Sequence, residues 1–235
     1  LLLLHGGLSC NEDWDTYVLP SIEDRFHVYA YDRTGHGRTG IREGYFHFDF
    51  QADEAIAYIE DIIKEPVHLV GWSDGGIISL LVSIKRPDLV KSIVAIGANY
   101  HWDSGGHFDP DAPLTISDED KEKWLLRSPD PLEQMEKTIR LGFKVWSTEP
   151  TMTPNDLARI ECPVLVLNGD DEPFTPEHGI SLYKSLKDGR LAIIPAASHY
   201  VMREQPELFT TAIRQFHSHL EYPITKWPHL RRKPE

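Results

Sequence analysis

Cysteine is nearly absent. Cys10 and Cys162 are the only two, far apart and in neither a Cys-x-x-Cys nor a Cys/His spacing, which argues against a disulfide framework and a zinc site. Their scarcity points to a reducing compartment, and the cytoplasm is the expected location. Long apolar runs are missing as well: no stretch reaches the roughly eighteen residues of a membrane span, and Leu1 to Leu4 is too short for the apolar core of a secretory signal. No membrane partner is expected. The chain has no initiator Met and opens inside what reads as a buried strand, so residues are expected to precede Leu1. Basic residues are also in short supply, with 24 Lys and Arg against 37 Asp and Glu, a formal net charge of −13. Nucleic-acid binding needs a basic face that displaces counterions, so no nucleic-acid partner is expected. The one basic cluster, Arg231, Arg232 and Lys233, sits between Pro228 and Pro234 and reads as a solvated tail.

What is present is enough apolar material, 40% of 235 residues, for one domain with a sizeable core. Short runs rich in Leu, Val and Ile alternate with helix-like stretches, the pattern of a mostly parallel sheet covered by helices on both faces. The runs are Leu1 to Leu4, Phe26 to Tyr31, Val67 to Trp72, Ser92 to Gly97, Pro163 to Asn168 and Arg190 to Pro195. Gln51 to Lys64 carries Ala52, Ala55, Ile56, Ile59, Ile62 and Ile63 at helical spacing, and Gly76 to Lys85 is apolar nearly all round, which predicts a fully buried helix. The alternation stops between Trp102 and Leu157, where the chain turns acidic and amphipathic. Here Glu119 to Arg127 and Leu132 to Trp146 read as helices separated by the breaker Ser128-Pro129-Asp130-Pro131. The expected organisation is a core of residues 1–102 and 151–222, a helical cap at 103–150, and a tail at 223–235. Trp102, Phe108, Trp124, Phe143 and Trp146 of the cap region, with Leu8 and Trp72 of the core, are the candidate lining of a substrate pocket.

Chemistry concentrates at Val67-His68-Leu69-Val70-Gly71-Trp72-Ser73-Asp74-Gly75-Gly76, a strand that runs into a helix with Gly-x-Ser-x-Gly at the junction. Such an elbow holds Ser73 on a strained turn and brings main chain too close for a Cβ at Gly71 or Gly75. A serine hydroxyl needs an imidazole to take its proton and a carboxylate to orient that imidazole. Of the twelve His, His199 follows the last strand-like run through Ala196, Ala197 and Ser198, and loops at carboxyl ends of strands are where α/β sheets place their sites. The loop after Pro163 to Asn168 offers three acids, Asp170, Asp171 and Glu172. The run His101, Asp103, His107 and Asp109 has metal-ligand residue types but no spacing that converges them, and no metal is expected.

At these residues the chain resembles the α/β-hydrolase superfamily, whose acid loop reads Gly-x-x-Asp with Pro four residues on. Counting from Gly169 and back from Pro176, the resemblance implies Glu172 as the acid, a departure from Asp, with Asp171 or Asp170 as alternatives. His5-Gly6-Gly7-Leu8 resembles the superfamily's oxyanion loop, which implies the Gly7 N–H as one donor, with the Asp74 N–H, at the start of a helix, as the other. Asp32-Arg33-Thr34-Gly35-His36-Gly37-Arg38-Thr39 resembles a further family loop and reads as scaffold. The wording Gly71-Trp72-Ser73-Asp74-Gly75-Gly76, with Gly97-Ala98-Asn99, is most similar to capped ester hydrolases of the biphenyl hydrolase-like and arylesterase kind.

The resemblance implies the α/β-hydrolase fold and a carboxylesterase-like serine hydrolase (EC 3.1.1), with Ser73, Glu172 and His199 as triad and neither cofactor nor metal. The expected partner is a small or medium apolar ester. Two other readings stay open: the same triad acting on a C–C, amide or lactone bond, and a ligand receptor that keeps the fold with negligible turnover. The Asp74 carboxylate, beside the nucleophile, would suit a cationic substrate such as an amino-acid ester.

Overall fold

The computed structural model describes residues 1–106 and 108–227. Its elements run β1 (Leu2–Leu4), α1 (Asp13–Tyr17), α2 (Leu19–Ile22), β2 (Tyr29–Ala30), α3 (Phe48–Tyr58), β3 (Val67–Trp72), α4 (Asp74–Lys85), β4 (Val90–Ile96), α5 (Asp118–Arg127), α6 (Glu133–Trp146), α7 (Pro154–Leu157), β5 (Val164–Asp171), α8 (Pro176–Ser185), β6 (Gly189–Ser198), α9 (Val201–Glu204) and α10 (Pro206–Ser218). Among the described residues the strands form one sheet, ordered β2-β1-β3-β4-β5-β6, with every neighbouring pair parallel.

Period-two alternation explains why these runs are apolar at almost every position. Leu2, Leu4, Leu69, Ile93, Ala95, Val164 and Val166 pack on one face with residues of α3, α4 and α8. Leu3, Val70, Val94, Ile96, Leu165 and Leu167 pack on the other with α1, α2 and α10. Both faces are covered by helices, so the central strands are apolar at nearly every position, with the buried Ser92 and Asn168 as exceptions. The chain passes from β1 to β2 on one flank and then crosses back to place β3 on the other flank of β1. The loops after β1 and β3 therefore leave the sheet on opposite courses, which opens a crevice at their carboxyl ends.

Three expectations need correction. The run Phe26 to Tyr31 pairs only over Tyr29–Ala30; it lies at the sheet edge and has a single neighbour to hold it. The helix expected over Gln51 to Lys64 starts at Phe48, changes to a π-helical turn over Ile59–Ile63 and ends on Lys64 in the left-handed region. Ile62 on that turn is 59% exposed and does not join the core. The α4 helix is buried along most of its length, but Leu81 and Ile84 are half-buried and Lys85 is exposed, its ammonium 2.8 Å from Asp53 on α3.

The segment 103–150 leaves and re-enters the core at one place. His101 and Thr151 form an antiparallel bridge, the Trp102 N–H donates to the Pro150 carbonyl at 2.7 Å and the Met152 N–H to the Tyr100 carbonyl at 3.0 Å. Within it α5 has no buried residue, whereas α6 buries Met135, Thr138, Gly142 and Val145. Polar ties dock the segment on the core: Arg127 to Glu12 at 2.6 Å, and Asp130 accepting from the Ile41 N–H at 2.9 Å. Cys10 and Cys162 are both free thiols. No described helix is long and apolar enough to cross a membrane. The basic cluster Arg231, Arg232 and Lys233 lies outside the described residues.

Candidate active site

Ser73 stands between β3 and α4 with φ 55° and ψ −120°, a conformation that L residues adopt only where surroundings impose it. Here the imposition is steric. A Cβ on Gly71 would run into the Gly75 carbonyl, and one on Gly75 into the Leu4 carbonyl at the end of β1. Two glycines thus let the elbow close on itself and on the neighbouring strand. The Ser73 N–H is tied to the Ile96 carbonyl at 2.8 Å, which fixes the turn against β4.

Glu172 and His199 meet across β5 and β6. Glu172 Oε2 lies 2.6 Å from His199 Nδ1, with the glutamate side chain 4% exposed. Its other oxygen, Oε1, accepts from the Gly169 N–H at 2.9 Å, so one carboxylate is held at both ends. The neighbouring acids are engaged differently. Asp170 accepts from the Ala196 and Ala197 N–H groups at 3.0 and 3.1 Å, which secures the irregular end of the β5–β6 pair and holds its carboxyl below the usual range. Asp171 is exposed and lines the cleft without a hydrogen bond to His199. The Trp72 indole N–H donates to the His199 carbonyl at 2.9 Å, so the residue before Ser73 anchors the histidine loop.

Gly97 is the residue that the sequence named without giving it a task. It ends β4 with φ 54°, and a Cβ there would lie 2.8 Å from His199 Nδ1 and 3.2 Å from Glu172 Oε1. The His–Glu pair rests on this bare backbone. Gly97→Ala is expected to lower kcat about 10- to 100-fold by displacing the pair, and to cost about 1 kcal/mol or more of stability because the residue holds positive φ. Steady-state ester kinetics together with a thermal melt check both.

The loop after β1 supplies the opposite wall. Gly7 packs so tightly that a Cβ would collide with the Trp146 ring and lie against the Asp74 carboxyl. The Asp74 side chain itself is buried at 2% exposure. Burial pushes its pKa up, while the buried Arg33 charge, the Trp146 indole and His199 oppose the rise. His5 and His36, both buried, stay neutral: burial, reinforced by the Arg33 charge, holds His5 well below the ordinary imidazole value and His36 down to about 3. The Asp32 loop is internally braced, Asp32 accepting from the Asn11 and Arg38 N–H groups at 2.8 and 2.9 Å.

Ser73, Glu172, His199, Gly7 and Asp74 all line one cleft of about 780 Å³. Of the expected pocket residues, Leu8, Trp72, Trp102, Phe108 and Trp146 line it too. Trp124 does not. Its indole N–H donates to the Asp130 carbonyl at 3.0 Å, and the ring faces a smaller side cavity of about 370 Å³ between the segment and the Asp32 loop. Phe143 is likewise set back, packing on Phe108 and Trp146 with ring centroids 6.2 and 5.7 Å away. Tyr200, Arg203, Asn99, Lys123 and Arg127 also line the cleft and were not anticipated, since exposed polar residues carry no periodic signal. Among the described residues no group of His, Cys, Asp or Glu could hold a metal ion; His107 of the run considered above lies outside them.

The sequence matches the family described as "Alpha/beta hydrolase family" over residues 1–212. The serine hydrolase BPHL of Homo sapiens is 29% identical over 216 residues, covering 85% of this chain and 72% of that protein. The (E)-2-((N-methylformamido)methylene)succinate hydrolase of Acinetobacter baylyi is 28% identical, over 91% of this chain and 88% of its own length. Among solved structures, a serine hydrolase involved in carbazole degradation superposes with a TM-score of 0.74 at 22% identity, over 92% of this chain and 90% of that one. That likeness is one of fold.

Proposed function

The chain belongs to the alpha/beta hydrolase family, and on that premise we propose that it is a serine hydrolase that cleaves a carboxylic ester of a small or medium apolar substrate through an acyl-enzyme. The observation that carries the reading is the 2.6 Å Glu172–His199 pair on the same cleft as Ser73. Ser73 Oγ attacks the ester carbonyl while His199 Nε2 takes its proton, and Glu172 holds the Nδ1–H and the imidazolium that forms. The Gly7 and Asp74 N–H groups receive the oxyanion. His199 then protonates the departing alkoxide, and water repeats the sequence to release the acid. Substrate, water and these side chains account for every proton and electron pair, so the chemistry needs neither metal nor cofactor.

A cleft of about 780 Å³ falls within the range of about 300–1,000 Å³ common for small-molecule sites, and Leu8, Trp72, Trp102 and Trp146 give it apolar walls. A second reading keeps the machinery and changes the bond to C–C, amide or lactone. The A. baylyi relative, named as the hydrolase of a substituted succinate, favours it; Lys123, Arg127 and Arg203 on the cleft are each paired with a carboxylate, of Glu119, Glu12 and Asp13.

The test is turnover of p-nitrophenyl esters from acetyl to decanoyl, beside an amino-acid ester and (E)-2-((N-methylformamido)methylene)succinate. The expected result is rapid release from short and medium chains, with an optimum that sizes the cleft. Turnover of the succinate alone by the folded protein would favour the second reading. Ligand-dependent stabilisation without turnover of any substrate would favour a receptor.

A further inference from the structure

Resting on that reading, we propose that Arg33 is a positioning residue of the oxyanion hole, which clamps the Gly6–Gly7 peptide from behind so that the Gly7 N–H faces the cleft. Arg33 comes from a different loop, 28 residues beyond His5 in sequence, and its side chain is fully buried. Its Nη2 donates to the His5 carbonyl at 2.7 Å and to the Gly6 carbonyl at 2.8 Å. Its Nη1 donates to Gln51 Oε1, and Gln51, also fully buried, is itself held through Nε2 to the Phe46 carbonyl at 2.7 Å. The guanidinium is therefore fixed by the core helix α3 on one side and grips the loop on the other.

The geometry of one peptide unit turns that grip into a function. In a planar trans peptide the C=O of residue 6 and the N–H of residue 7 point in opposite directions. Fixing the Gly6 carbonyl toward Arg33 fixes the Gly7 N–H away from it, toward the cleft that Gly7 lines. That N–H donates to no described residue, as a group kept free for substrate should. A second donor reaches the same carbonyl. The Arg33 N–H donates to His5 Nε2 at 3.1 Å, so the neutral ring carries its proton on Nδ1, which lies 2.8 Å from the Gly6 carbonyl oxygen. Two donors on a carbonyl also polarise its peptide and make the far N–H a stronger donor.

The charge matters as well as the shape. Asp74, whose N–H is the other proposed donor, has a buried carboxyl whose pKa is pushed up by burial, a rise that the Arg33 charge opposes, and Asp74 heads the charges that support the Arg33 guanidinium. The guanidinium is thus coupled to both halves of the hole, by its hydrogen bond to the Gly6 carbonyl and by charge to Asp74. A core arginine with a packing role alone would have no reason to place a bond on the carbonyl of a peptide whose amide donates to no described residue.

Arg33→Met and Arg33→Lys test this in ester turnover, in thermal melts, and in inhibition by an alkylboronic acid, whose tetrahedral adduct on Ser73 places an oxygen in the hole. An alkyl alcohol that fills the cleft without doing so is the control. The expected result is a kcat lowered about 10- to 100-fold, less than for outright loss of an oxyanion donor, with KM within threefold. The boronate Ki should rise in step with the fall in kcat, while the alcohol Ki stays put. Where Met does not fold, Lys decides, because one ammonium cannot reach two carbonyls and Gln51 together. Folded variants whose kcat and boronate Ki stay within threefold of wild type overturn the inference while leaving the hydrolase reading intact. A folded wild type that neither turns over ester nor labels at Ser73 with a fluorophosphonate overturns that reading, and the inference with it.

Discussion

Ser73→Ala is expected to lower ester turnover by about 10⁴-fold or more, since removal of a nucleophile leaves only the rate supplied by binding and by the oxyanion donors. The fold should be untouched, for reasons visible at the elbow. Alanine keeps the Cβ, so the strain of φ 55° is the same before and after, and the N–H bond to the Ile96 carbonyl does not involve the side chain. Ser73 caps α4 without a side-chain hydrogen bond, so no cap is lost. Stability should stay within about 0.5–1 kcal/mol of wild type, as for substitutions that remove no buried contact. A burst of p-nitrophenol in stopped flow, stoichiometric with enzyme in wild type and absent from the variant, checks the acyl-enzyme directly. Residual steady-state cleavage within tenfold of wild type would remove Ser73 from the nucleophile's place.

The elbow was legible because its steric demands are written into residue choice. Gly71 and Gly75 occur where backbone meets backbone, and a short, mostly apolar run bounded by Pro66 and Gly71 suits a strand buried on both faces. His199 was legible for a related reason: a sheet brings carboxyl-end loops together whatever lies between them in sequence. Glu172 could be singled out among three acids only by counting along a family pattern, and what separates it physically is a contact that counting does not show. Asp170 is spent on the Ala196 and Ala197 amides, leaving Glu172 the acid whose two oxygens bridge Gly169 and His199.

What escaped the sequence has its own physics. The edge strand β2 shrank to Tyr29–Ala30 because apolarity reports contact with the core, and this edge run is half-buried with His27 exposed without being paired along its length. Trp124 and Phe143 looked like pocket residues because aromaticity says nothing of which way a helix of the 103–150 segment is turned; α5 docks through Arg127 and Glu12, and its tryptophan follows that docking. Gly97 and Arg33 act on residues more than a loop away. A glycine after a strand, or an arginine in a Gly-rich loop, reads the same whether it shapes a turn or supports a reacting group.

Glu172→Gln carries the second large effect, expected at about 10³- to 10⁴-fold in kcat, of the order seen when a triad carboxylate becomes an amide. The argument is one of acceptors. Glutamate offers two, and both are in use: Oε1 takes the Gly169 N–H and Oε2 the His199 Nδ1–H. Glutamine has a single acceptor oxygen and an NH₂ that only donates. If the oxygen stays with Gly169, the NH₂ faces Nδ1 and selects the tautomer with its proton on Nε2, which cannot accept from Ser73. If the amide flips, His199 keeps its tautomer but two donors confront each other at Gly169, and the imidazolium formed in the transition state loses its negative partner either way. The exposed Asp171, which makes no bond to His199, should tolerate Asn with kcat within about threefold, as surface changes away from such networks usually do. The pair of variants therefore reads the acid unambiguously: loss in Glu172→Gln with Asp171→Asn intact assigns it to Glu172, and the reverse outcome would mean that the end of β5 shifts by one residue to bring Asp171 onto His199.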